Sequence, residues 1–179
     1  MSTPPPRPDI ILVLGGARAG KSAFAEGLTA AWDRRVYLAT AVVTDDEMAE
    51  RIALHRARRG PDWRTVEEPL ELAAAIRRES SPGTGLLVDC LTVWIGNLMH
   101  HGRDVDASGE ALLESLATAA GPVVLVANEV GLGIVPDNPM ARAFRDHAGR
   151  LNQAVARAAT RVHFVAAGIP VMLKAPPPD

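Results

Sequence analysis

The sequence predicts a three-layer α/β fold on a mostly parallel sheet, and three observations carry that prediction. Short apolar runs that suit strands buried on both faces recur along the chain, at 9–14 (D-I-I-L-V-L), 85–89 (G-L-L-V-D) and 123–127 (V-V-L-V-A). Helical stretches stand between them, the alternation that places helices on the faces of a parallel sheet. The first run leads into G-G-A-R-A-G-K-S at 15–22, a phosphate-binding loop pattern set between a strand and a helix.

Taken in order, 9–14 is too short for a helix and reads as the first strand. Residues 21 to about 32 read as a helix, with Ala23, Phe24, Leu28 and Ala31 on one side. Residues 36–40 (V-Y-L-A-T) form a second strand. Thr44 and Glu47 make a capping box, and the helix they open runs to about Arg58. A strand is expected at 63–67, a helix at 70–78, and a strand at 85–89 that ends in a carboxylate. Helices follow at 91–99 and 109–119, then the strand at 123–127, which leads to Asn128 and Glu129. Residues 131–139 are rich in glycine and proline and read as a loop. Asn138 caps a helix with Pro139 at its first position, running to Thr160. Strands at 162–165 and 171–173, joined through Gly168, Ile169 and Pro170, are expected to close the sheet as an antiparallel hairpin at one edge. No internal repeat and no second boundary is visible. The reading is one domain over 9–174, between proline-rich tails at 1–8 and 175–179.

Composition narrows the function. A chain of 179 residues with net charge −2 and 47% hydrophobic residues suits one enzyme-sized domain. That charge balance argues against nucleic acid or an anionic membrane as the main partner. Cys90 is the one cysteine, which excludes an internal disulfide and a thiolate metal cluster and suits a reducing, cytoplasmic setting. No run approaches 18 apolar residues, so no membrane span is expected. The first eight residues lack the charged and apolar regions of a secretory signal.

The phosphate loop has a physical logic. Gly15, Gly16 and Gly20 let backbone N–H groups turn inward around phosphate oxygens, with Ala17, Arg18 and Ala19 between them, and the following helix N-terminus adds its positive dipole end. Lys21 reaches the β- and γ-phosphates as a point charge, and Ser22 offers a hydroxyl to Mg²⁺. Arg18 either touches phosphate or faces water. A P-loop enzyme takes a further metal contact from an acid at the end of a neighbouring strand, and Asp89 is the best placed, the ordinary alternative being a solvated strand-end acid. Glu129, beyond the 123–127 strand, is a second acid on that edge, with loop stabilisation weighed equally.

Histidines rank by their setting. Arg51, His55 and Arg59 recur at four-residue spacing, so they share a face if the helix extends that far, and Arg56 and Arg58 lie nearby. Cations beside an imidazole disfavour its protonated form, and a neutral imidazole is a nucleophile. The ordinary alternative is a solvated basic face. His100 and His101 sit at a helix end before Gly102, whereas His147 and His163 fall inside a helix and a strand and read as structural. No set of His, Cys and carboxylates has zinc spacing.

These pieces together resemble the bifunctional adenosylcobinamide kinase/adenosylcobinamide-phosphate guanylyltransferase family. The resemblance runs from Leu12 to Lys174. Beyond the phosphate loop its markers are V-Y-L-A-T (36–40), D-D-E-M-A-E-R-I (45–52), H-R-A-R-R-G (55–60), L-L-V-D-C-L-T (86–92), N-E-V-G-L-G-I-V-P (128–136) and F-R-D-H-A-G-R-L-N-Q (144–153). The loop is shared by very many proteins, whereas N-E-V-G-L-G-I-V-P and D-D-E-M…R-I-x-x-H-R are far more specific.

The resemblance implies a RecA-like P-loop fold, a homotrimer and two reactions. A nucleoside triphosphate, ATP or GTP, phosphorylates adenosylcobinamide. GTP then guanylylates an enzyme histidine, and adenosylcobinamide phosphate takes over the GMP. His55 matches that histidine. Gly15 to Ser22 match the phosphate loop, and Ala39, Arg56, Arg58, Arg59, Glu67 and Asp89 fall in or near GTP-contacting segments. Two positions depart from the pattern. Ala19 stands where relatives often carry serine, and Leu54 replaces the first histidine of a pair, leaving His55 alone in its block. Two other readings explain less. A monofunctional P-loop kinase leaves His55 without a task. A RecA-like regulatory NTPase module that binds a protein or nucleic-acid partner is the other, and one bound to DNA would be expected to carry a net basic surface, against the −2 here.

Overall fold

The computed structural model describes residues 8–42 and 62–176. Seven strands form one sheet in the order β3-β2-β4-β5-β1-β6-β7. They are β1 (Ile10–Gly15), β2 (Arg34–Ala39), β3 (Trp63–Glu67), β4 (Thr84–Asp89), β5 (Val123–Asn128), β6 (Arg161–Ala166) and β7 (Ile169–Lys174). Every pairing is parallel except β6 with β7. The helices are α1 (Lys21–Leu28), α2 (Leu72–Glu79), α3 (Leu91–His100), α4 (Val105–Ala117) and α5 (Pro139–Ala158). This is the mostly parallel three-layer P-loop fold expected, with the antiparallel hairpin at its edge.

Alternation along the central strands sorts the core into two layers. Leu12, Leu38, Leu86, Val88 and Leu125 face one side, where they pack with Leu72 and Ile76 of α2, Trp94 and Leu98 of α3, Leu112 of α4 and Val155 of α5. Ile11, Val13, Leu87, Val124, Val126 and Val165 face the other, against Ala25, Phe24 and Leu28 of α1. Each fully buried aliphatic side chain contributes roughly 1.5–3 kcal/mol, so the apolar runs drive both layers.

Several boundaries differ from expectation, each for a local reason. Helix α1 stops at Leu28 rather than near Trp32, because Thr29 Oγ1 bonds back to the Glu26 carbonyl at 2.7 Å and the chain turns there. Trp32 then folds over Gly85, where a Cβ would lie 1.5 Å from its ring. The buried face of α1 is therefore Ala25 with Phe24 and Leu28 beside it, while Ala23 and Ala31 are exposed. Helix α4 begins at Val105, not 109, because the Asp104 carboxylate accepts from the N–H groups of Asp106 and Ala107. Helix α5 starts as expected, with Asn138 Oδ1 accepting from Ala141 N–H at 2.7 Å and Pro139 in its first turn. Ile169 and Pro170 belong to β7, not to the turn. Pro170 is tolerated because β7 is an edge strand and needs no further ladder donor there. The capping box at Thr44 and Glu47 and the helix it opens lie outside the described residues.

Candidate active site

The C-terminal ends of the parallel strands bring the phosphate loop and the acids to one edge. Gly15 ends β1, and residues 16–20 turn directly into α1. Gly15 has no room for a side chain, since a Cβ would meet the Val165 carbonyl oxygen at 2.3 Å. Gly20 caps α1 in the left-handed region at φ 99°, which glycine adopts without strain. Phe24 N–H reaches the Gly20 carbonyl at 3.1 Å and closes the first helical turn. Ala17 and Arg18 are exposed at the tip, and Arg18 is left-handed at φ 56°.

Lys21 and Ser22 occupy the first turn of α1. The Lys21 side chain is buried, and its Nζ donates to the Gly16 carbonyl at 2.6 Å, so the cation lies along the loop. Ser22 Oγ donates to Asp89 Oδ2 at 2.9 Å. Tyr37 OH donates to the same oxygen at 2.9 Å. Tyr37 is buried on β2 and is held edge-on by Trp63, with ring centroids 6.1 Å apart. A hydroxyl and a carboxylate this close are hard oxygen donors of the kind Mg²⁺ takes from protein, completing its shell with water and substrate phosphate.

Register places the remaining strand-end residues beside Asp89. Ala39 pairs with Asp89 on β4 and with Glu67 on β3, so these three line one edge. Glu67 is exposed there. Thr40, just past β2, accepts from Cys90 N–H and donates to the Cys90 carbonyl, both at 2.8 Å, which ties the two strand ends together. Burial, then the neighbouring Asp89, pushes the Cys90 thiol up to about 11, so it stays protonated and is no nucleophile. Glu129 serves the loop. Its N–H donates to the Gly15 carbonyl at 3.0 Å and its carboxylate accepts from Gly131 N–H at 2.6 Å.

The other histidines are structural in setting. His101 Nδ1 lies 2.9 Å from the Asn97 carbonyl beyond the end of α3, and His147 lies 3.3 Å from Asp106. His163 is buried on β6 against Phe24. His55 and Arg51, Arg56, Arg58 and Arg59 lie outside the described residues. Among the described residues no three His, Cys, Asp or Glu gather into a metal cluster, and no helix is long and apolar enough to cross a membrane.

Comparison with known proteins then decides the family. A model described as cobinamide kinase/cobinamide phosphate guanyltransferase matches residues 11–173. The chain belongs to that family. The bifunctional adenosylcobalamin biosynthesis protein CobP of Pseudomonas aeruginosa is 51% identical over 169 residues, covering 93% of this chain and 98% of that protein. The corresponding CobU of Escherichia coli is 42% identical over 180 residues, covering 92% and 99%. A solved Pyrococcus horikoshii structure shares the fold at a TM-score of 0.52 and 10% identity, over 93% of this chain and 86% of that one. The chain is therefore an enzyme of the cobinamide kinase/guanyltransferase kind, with a P-loop nucleotide site.

Two residues of this site escaped the sequence reading. Tyr37 had a usable signal, because a phenol in an otherwise apolar buried strand needs a hydrogen-bond partner. Gly168 read only as a turn residue, and nothing local revealed that its N–H reaches the phosphate loop.

Proposed function

We propose that the enzyme performs two reactions at one nucleotide site. In the first, the aminopropanol hydroxyl of adenosylcobinamide attacks the γ-phosphorus of a nucleoside triphosphate. The bond to the bridging oxygen breaks, the diphosphate leaves and the hydroxyl proton is released. In the second, an unprotonated His55 nitrogen attacks the α-phosphorus of GTP and pyrophosphate departs. A phosphate oxygen of adenosylcobinamide phosphate then displaces the histidine, giving adenosylcobinamide-GDP.

The observation that carries this reading is the phosphate loop with Ser22 hydrogen-bonded to Asp89 at 2.9 Å, in a chain of this family. Gly15 to Ser22 hold the phosphates. Ala39, Glu67 and Asp89 line the neighbouring edge, and Arg56, Arg58 and Arg59 contact the nucleotide. Ser22 and Asp89 would hold Mg²⁺, which would supply charge neutralisation on the phosphates. The active form is a cytoplasmic homotrimer, and the corrinoid or a neighbouring subunit covers the loop after β5. Leu132 and Ile134 of that loop are 83% and 97% exposed, the kind of apolar surface that marks a contact.

Incubation with α-labelled GTP and Mg²⁺ tests the central claim. Label should attach to the protein, survive alkali and be lost in acid, as a phosphoramidate is. No label would leave a P-loop kinase without the covalent half-reaction, and acid-stable label would put the GMP on a residue other than histidine. A light-scattering mass near 19.0 kDa would count against the trimer.

A further inference from the structure

The β6–β7 hairpin touches the phosphate loop at both ends. At the entry, Gly15 pairs with Val165 of β6, so closely that a Cβ on Gly15 would overlap the Val165 carbonyl oxygen. At the exit, Gly168 N–H donates to the Ala19 carbonyl at 2.8 Å. Backbone meets backbone there as well, since a Cβ on Gly20 would lie 3.1 Å from Gly168 Cα.

The turn that delivers Gly168 is built for this. Ala166 and Ile169 close the hairpin, and the two residues between them, Ala167 and Gly168, are both left-handed at φ 50° and 79°. Such two-residue turns match the twist of the flanking strands and point in one direction. The turn is therefore a rigid tip.

We propose that this tip is a brace for the phosphate loop and that Gly168 is a positioning residue for nucleotide binding. The peptide between Ala19 and Gly20 is trans, so its C=O and N–H point in opposite directions. Holding the Ala19 carbonyl on Gly168 turns the Gly20 N–H to the side opposite the hairpin. That N–H is one of the donors a phosphate-binding loop must aim inward. The brace fixes this orientation before the nucleotide arrives, so binding does not have to order it. Gly168 touches no substrate and acts only through Ala19 and Gly20.

The inference rests on the reading that the loop binds a nucleoside triphosphate, and the experiment separates the two. Wild type, Lys21→Ala and a protein carrying glycolic acid in place of Gly168 are titrated with a non-hydrolysable triphosphate. The glycolate ester removes the N–H without adding a side chain. If wild type does not bind, or Lys21→Ala binds as well as wild type, the nucleotide reading itself fails.

Given wild-type binding through Lys21, the ester should raise the dissociation constant about two- to tenfold, the effect of one hydrogen bond. KM for the triphosphate should rise in step while kcat stays within about twofold. Ala167→Asn, which keeps the left-handed turn, should bind as wild type does. Unchanged affinity in the ester would overturn the brace, as would a fall in kcat with KM unmoved. A second measurement needs no variant. Linkage is reciprocal, so saturating nucleotide should slow hydrogen exchange at the Gly168 amide. Exchange there that ignores the nucleotide also overturns the proposal.

Discussion

Ser22 Oγ and Asp89 Oδ2 lie 2.9 Å apart although 67 residues separate them in the chain. One begins the helix after β1, and the other ends β4, with β5 between the two strands. Only the parallel sheet, with its strand ends aligned on one edge, can bring them together. The hydroxyl donates its proton to the carboxylate, which leaves the Ser22 oxygen lone pairs for a cation. On the proposed reading, metal and phosphate contacts thus fall on adjacent residues, Ser22 and Lys21.

Lys21→Ala is expected to lower both half-reactions about a hundredfold or more, the scale for removing one preorganised charge from a phosphate site. Initial rates of kinase and nucleotidyl transfer, measured on the same preparation, check this. Near-normal guanylylation would require a second triphosphate site.

Tyr37→Phe removes one of the two donors that the described residues give Asp89 Oδ2 and keeps the ring against Trp63. A hydrogen bond to a charged group is worth roughly 1.5–3 kcal/mol, and water replaces part of it. The variant should bind Mn²⁺ with nucleotide about tenfold more weakly by electron paramagnetic resonance. Its affinity for metal-free nucleotide should not change. Tighter metal binding would mean that the phenol competes with the cation instead of orienting its ligand.

His163 supplies a pH prediction. Burial, and then the nearby Arg161 cation, hold its imidazole below the ordinary 6.5, and its buried Nε2 has no hydrogen-bond partner among the described residues. The unfolded chain therefore binds this proton more readily than the folded one. The contribution to stability is present above about pH 6.5 and is lost as the pH falls through the depressed folded value. His163→Phe, which keeps a ring against Phe24, should flatten the fall in melting temperature between pH 7 and 5. An unchanged slope would place the acid sensitivity elsewhere.

What the sequence revealed and what it hid follow from distance along the chain. The runs at 9–14, 85–89 and 123–127 were legible because a strand buried on both faces must be apolar throughout. The glycines and Lys21 were legible because the loop's function lies in eight consecutive residues. Asp104 is legible in principle, as an acid just ahead of an apolar helix. The early end of α1 was not readable, because Trp32 turns away to fill the space above Gly85, a contact with no local sign. Gly168 shows the same limit most clearly, because its partner Ala19 lies on the first loop of the fold while Gly168 lies on its last hairpin. The segment that carries His55 lies outside the described residues, and its reading rests on residue types, spacing and the family resemblance.

His55→Ala is expected to separate the kinase reaction from guanylyl transfer. On the proposed mechanism the kinase step uses the phosphate loop, Ser22 and Asp89, and no protein nucleophile. On the same mechanism the nucleotidyl step needs an unprotonated nitrogen near neutral pH, which Arg51 and Arg59, at four-residue spacing on either side of His55, would favour if the three share a helical face. In that reading the same cations would offset charge on the departing pyrophosphate. Leu54 leaves no adjacent histidine to substitute. His55→Ala should therefore abolish labelling by α-labelled GTP and reduce nucleotidyl transfer to background, while kinase activity stays within about threefold of wild type, since that step draws on other groups. A covalent route also requires ping-pong kinetics in the wild-type enzyme, with pyrophosphate released before the acceptor binds. Loss of both activities together would assign His55 to nucleotide binding and not to attack. Normal labelling of the variant would place the nucleophile on another residue.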